Sequence, residues 1–74
     1  MPSNHYEKYK AIGRKIKQLR EEKQLSQSEF AELIGISVSY LSKIEAENCN
    51  KSFSLDLLFE ICDILDIHIT YFFS

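Results

Sequence analysis

The chain has 74 residues, of which 45% are apolar and 27% charged, and a formal net charge of −2. That length holds one small domain, and the apolar fraction excludes a mainly disordered chain. No apolar run approaches the ~20 residues that span a bilayer, and Met1-Pro2-Ser3-Asn4-His5-Tyr6 lacks the apolar stretch of a secretory signal, so a cytoplasmic protein without a membrane segment is expected.

Residues 1–5 read as a flexible tail and 6–74 as a single domain. Tyr9, Ile12, Ile16 and Leu19 recur at three and four residues, which predicts a first helix from Tyr6 to Lys23 with one apolar stripe. Its other face carries Lys8, Arg14, Lys15, Lys17, Glu21 and Glu22. Gly13 costs this helix ~1 kcal/mol of propensity. Gln24-Leu25 is a short link. Ser26 then predicts an N-cap, with Glu29 three residues later completing a capping box. Phe30, Ala31, Leu33 and Ile34 give the second helix its apolar face. Gly35 ends it, because a left-handed terminal residue is cheapest as glycine.

Ser37 caps a third helix, predicted over 37–46, in which Val38, Leu41 and Ile44 recur every three positions. Its outward positions hold Ser39, Tyr40, Ser42 and Lys43, which are polar, rich in hydrogen-bonding groups and free of acids. Two short helices around a glycine turn, the second with such a face, make a helix-turn-helix suited to the major groove of DNA. Residues 46–53 are polar and turn-prone. Ser54 caps a fourth helix, with Leu55, Leu58, Phe59, Cys62 and Leu65 expected inward and Asp56, Glu60 and Asp63 outward. Asp66-Ile67-His68 reads as a second turn. By β-propensity alone Ile69–Phe73 would be a strand.

The charge is unevenly placed. Residues 1–27 hold seven Lys/Arg against three Glu, residues 28–47 one Lys against four Glu, and residues 48–74 one Lys against four acids. An interface feels the field within a Debye length of ~8–10 Å, so a basic front and an acidic back matter more than the total. Weak nonspecific attraction to DNA follows, which leaves a larger share of affinity to base contacts. Cys49 and Cys62 are too far apart for a redox pair, and His5 and His68 stand alone. Neither a metal site nor a cofactor is expected.

Ser26-Gln27-x-x-Phe30-Ala31, the turn glycine Gly35, Ser39-Tyr40-Leu41-Ser42-Lys43-Ile44-Glu45 and the tail Leu55-x-x-Leu58-x-x-Ile61-Cys62-x-x-Leu65-x-Ile67 occur in order. In these residues the chain resembles the λ-repressor-like (Cro/XRE) helix-turn-helix regulators of phages and bacteria, from near Ile12 to the C-terminus. The resemblance implies an all-α fold of four to five helices, with Ile69–Phe73 as a short fifth helix. It implies a role for Gln27 in binding a DNA phosphate and buttressing the third helix. Ser39, Tyr40 and Lys43 fall at positions that read bases or adjacent phosphates. Lys43 can donate to guanine O6 and N7 or sit on a phosphate as a point charge.

Ser37, as a cap, is placed on phosphate at most. Ser42 shares the outward face, and Val38 falls where the family carries a base-reading glutamine, so it offers apolar contact only. Lys51 marks the loop in which the family makes further phosphate contacts. Arg20 and Glu45 match an ion pair that ties the first helix to the end of the third. Tyr71, Phe72 and Phe73 divide between closing the core and a twofold dimer contact. A DNA-binding regulator, a repressor that binds a two-half-site operator as a homodimer, is the expected function. A protein-interaction or antitoxin-like module on the same scaffold is the alternative. An enzyme is not expected, since no nucleophile–base set or phosphate-cradling glycine loop is evident.

Overall fold

The computed structural model describes residues 5–46 and 53–73. Four α-helices follow in order, α1 Tyr6–Glu22, α2 Gln27–Ile34, α3 Val38–Glu45 and α4 Leu55–Leu65, and a 3-10 helix over Ile69–Phe73 closes the chain. The fold is all-α. The fifth element is helical, not a strand, because Ile69 and Tyr71 pack on a core that the helices already form, and packing overrides β-propensity.

Helix starts follow the sequence closely. Ser26, Ser37 and Ser54 each accept a hydrogen bond from the backbone N–H three residues on, at 3.0, 3.0 and 3.2 Å. At Ser26 the Glu29 carboxylate also accepts from the Ser26 N–H at 2.8 Å, completing the capping box. Hydrogen bonds from Ser26, the backbone one foremost, hold the Glu29 carboxyl below its ordinary value. A lowered acid favours the folded state above its ordinary range, and that contribution is lost as pH falls through the lowered value.

The ends of α1, α2 and α4 share one device. Leu25, Ile36 and Ile67 each donate to the carbonyl five residues back, at 3.2, 3.0 and 3.0 Å, around left-handed residues Gln24, Gly35 and Asp66 with φ of 60°, 77° and 56°. At Gln24 and Gly35 the left-handed residue also donates three back, to Glu21 and Glu32, which completes a Schellman closure, whereas Asp66 donates to Cys62. Only Gly35 is the residue that such a conformation prefers.

The core joins Ile12, Ile16 and Leu19 of α1, Phe30, Ala31 and Ile34 of α2, Leu41 and Ile44 of α3, and Leu57, Leu58, Ile61 and Cys62 of α4. Burial, with Asp63 adding to it, raises the Cys62 thiol pKa, as suits a packing residue. The α4 expectation needs correcting: Leu55 and Phe59 are exposed, and Leu57 and Ile61 take the inward places. Leu33 on α2 is likewise exposed. Phe72, expected among dimer-contact candidates, is 3% exposed and belongs to the core.

Gly13 has a role that its helix propensity hides. A Cβ there would run into the backbone carbonyl of Ile44, so glycine lets α1 lie directly against α3. Backbone cannot move aside as a side-chain tip can. Gly13→Ala should therefore destabilise the fold by ~1–3 kcal/mol or more through overpacking, although alanine is the better helix former. Thermal or urea unfolding checks this, and an unchanged or raised midpoint would contradict the close approach.

Candidate nucleic-acid interface

The turn between α2 and α3 needs a reversal within three residues, and Gly35 in the left-handed region supplies it. Ser37 then restarts the chain as α3. Inward, α3 is held by Leu41 and Ile44. Outward, Ser37, Ser39, Ser42 and Lys43 are exposed and Tyr40 is half-buried against the core edge. Val38 is 42% exposed, so the three-residue spacing that grouped it with Leu41 and Ile44 does not hold at the first turn. The helix itself runs Val38–Glu45, with Ser37 as its cap and Ala46 beyond its end. Lys51, and Cys49 beside it, lie outside the described residues.

The base of α3 is locked by a polar cluster. Arg20 Nε and Nη2 donate to the two carboxylate oxygens of Glu45 at 2.9 and 3.1 Å. Arg20 Nη1 donates to the Leu25 carbonyl at 2.7 Å, and Gln27 Nε2 donates to Glu45 Oε1 at 3.0 Å. Glu45 is only 6% exposed, and its charge sits at a helix C-terminus, where the helix dipole disfavours an anion. The forked guanidinium meets both needs, because it matches a carboxylate in two parallel bonds. The cluster ties together the end of α1, the α1–α2 link, the start of α2 and the end of α3.

Gln27 thus has an architectural partner as well as its place at a helix start. A carboxylate only accepts, so the Gln27 amide must offer its NH2 to Glu45. That group keeps a second N–H, and the Gln27 carbonyl has its own acceptor sites. The first turn of α2 also presents backbone N–H groups, which favour an anion such as phosphate. The resemblance gives Gln27 a phosphate contact and a buttressing role for the third helix, and pairs Arg20 with Glu45, but it does not name Glu45 as the Gln27 partner. Gln27 sits eighteen residues before Glu45 in the chain, a separation that no local pattern reveals.

Tyr71 and Phe73 flank the buried Phe72. Tyr71 is half-buried, its carbonyl accepts from Lys15 Nζ at 3.1 Å, and that ammonium lies 6.0 Å from its ring centre. Burial, then the Glu22 charge, raises the Tyr71 phenol pKa. Phe73 is 60% exposed and lines a groove with Lys8, Ala11, Ile12 and Phe72. Among the described residues no cluster of His, Cys, Asp and Glu could hold a metal ion, and no helix is long and apolar enough to cross a membrane.

Comparison with known proteins bears on this arrangement. A helix-turn-helix family profile matches residues 16–72. Over 58 residues the chain is 43% identical to the HTH-type transcriptional regulator SinR of Bacillus subtilis (strain 168), and equally to SinR of Bacillus licheniformis. Those alignments cover 78% of this chain and 51% of each regulator, so the chain spans about half the length of the curated relatives it matches. The crystal structure of the restriction-modification controller protein C.AhdI from Aeromonas hydrophila superposes with a TM-score of 0.80 at 28% identity, covering 95% of this chain and 99% of that one.

Proposed function

The chain belongs to the helix-turn-helix family, in its Cro/XRE branch, and from that premise we propose that it is a sequence-specific DNA-binding transcriptional regulator. It acts as a repressor by occupying promoter DNA in the cytoplasm, without chemistry of its own. One observation carries the reading: the acid-free outer face of α3, with Ser39, Ser42 and Lys43 exposed, stands on a base fixed by the Arg20–Glu45–Gln27 cluster. The face is polar enough for base edges and phosphates, and the cluster keeps its angle constant.

The α3 N-terminal half enters the major groove, as the second helix of this motif does. Ser39, Tyr40, Ser42 and Lys43 meet bases or neighbouring phosphates, and Ser37 and the start of α2 at Gln27 meet the backbone. Lys51 would extend the backbone contacts beyond α3. One such domain reads few base pairs, so useful specificity calls for a homodimer with recognition helices one DNA turn apart, ~34 Å. Phe73, with the edge of Tyr71, supplies the twofold contact, and Phe72 supports it from inside.

Lys43→Ala should weaken binding to a duplex selected from a random-sequence pool by ~1–3 kcal/mol, while the melting temperature stays nearly unchanged because Lys43 is exposed. A collapsed melting temperature with intact affinity would assign Lys43 the wrong role. A second reading, a module that binds another protein, is favoured by one feature. On α4, Leu55 and Phe59 are exposed one turn apart beside Asp56, Glu60 and Asp63, and exposed apolar patches mark interfaces. Failure of any duplex to enrich would favour that module.

A further inference from the structure

We propose that Val38 reads the 5-methyl group of a thymine, so that each half-site bound by this chain carries a T·A pair where the first turn of α3 enters the major groove. The inference rests on the DNA-binding reading above and names part of its ligand. Val38 is the first residue of α3 after the Ser37 cap, in the part of the helix that lies closest to base edges. The residue is 42% exposed, while the other aliphatic residues of α3, Leu41 and Ile44, are buried. The core therefore does not account for it.

Chemistry narrows what it can meet. Valine offers no donor or acceptor. In the major groove adenine presents N7 and N6–H2, guanine N7 and O6, and cytosine N4–H2, and only thymine adds an apolar group, its C5-methyl. Set against valine, the polar edges would lose water without gaining a partner, a costly exchange, whereas the methyl loses only unfavourable hydration. Ser42 follows one turn on along the same side, and Ser39 comes next in the chain. Both are short, so neither overreaches Val38. Its β-branched side chain is stiff at χ1 in a helix, so little freedom remains to be lost on contact.

The test uses the full chain and the tightest duplex recovered from a random-sequence pool, with each thymine replaced singly by deoxyuridine, which removes only the methyl. The wild-type chain should bind about fourfold more weakly when one particular thymine per half-site is replaced, the factor that burial of one methyl-sized group carries. Val38→Ser should bind the unmodified duplex about fourfold more weakly and be indifferent to uracil at that position, with unchanged helix content and melting. Loss of sensitivity in the variant supports the contact. A duplex with no uracil-sensitive thymine, or a variant that keeps the wild-type sensitivity, overturns it while leaving DNA binding in place. A pool from which nothing is enriched overturns the DNA-binding reading and this contact with it.

Discussion

Arg20→Ala is expected to destabilise the fold by ~3–5 kcal/mol, the cost of leaving a buried charge without its partner. The alanine chain would retain the Glu45 carboxylate, almost fully buried, with Gln27 as its one remaining side-chain donor. It would also lose the bond to the Leu25 carbonyl that holds the α1–α2 link. A domain of this kind has a total stability of ~5–15 kcal/mol, so a large share would disappear. The double variant Arg20→Ala with Glu45→Ala should lose less than the sum of the two single changes, since the second removes the stranded charge. Urea unfolding of the four chains measures this. Additive losses would mean that the two side chains act independently.

Phe72→Ser and Phe73→Ser should separate sharply, although the residues are neighbours. Phe72 is buried and its ring packs edge-on against Tyr71, with centres 5.4 Å apart. Truncating a buried phenylalanine costs ~3–5 kcal/mol. Phe73 is largely exposed, and its replacement should stay within ~0.5 kcal/mol of the parent. If Phe73 forms the proposed twofold contact, Phe73→Ser lowers cooperativity on a two-half-site duplex and leaves binding to one half-site intact. Unfolding curves and sedimentation of the two variants distinguish these effects. Equal destabilisation would contradict the inside–outside division of this pair.

These residues also mark how far the sequence could be read. Helix starts were legible because serine caps act locally, within three residues. Helix ends were less so: Gly35 announces its conformation, but Gln24 and Asp66 adopt the same one without a glycine to signal it. The α4 face was misassigned because Leu55, Leu57, Leu58, Phe59, Ile61 and Cys62 leave almost no polar gap. Choosing Leu55 and Phe59 as inward turned the helix by about a quarter turn. Asp56, Glu60 and Asp63 held the phase, since the face opposite them carries Leu58, Ile61 and Leu65. Along the sequence Gly13 shows only a propensity cost, because its close approach to Ile44 is long-range. Within the candidate site, the exposure of Ser39, Ser42 and Lys43 follows from the motif and a buttressing Gln27 from the resemblance, but the choice of Glu45 as its partner follows from neither. On α3, Val38 is the one position where apolar spacing and exposure disagree.

Contact between the outer face of α3 and DNA is read residue by residue by amide chemical-shift mapping during titration with the selected duplex. Shifts should concentrate at Ser37–Lys43 and at Ser26–Gln27, weaker in higher salt as phosphate contacts require, with α4 Asp56, Glu60 and Asp63 unmoved. Saturating duplex that leaves Ser37–Lys43 unshifted would contradict it.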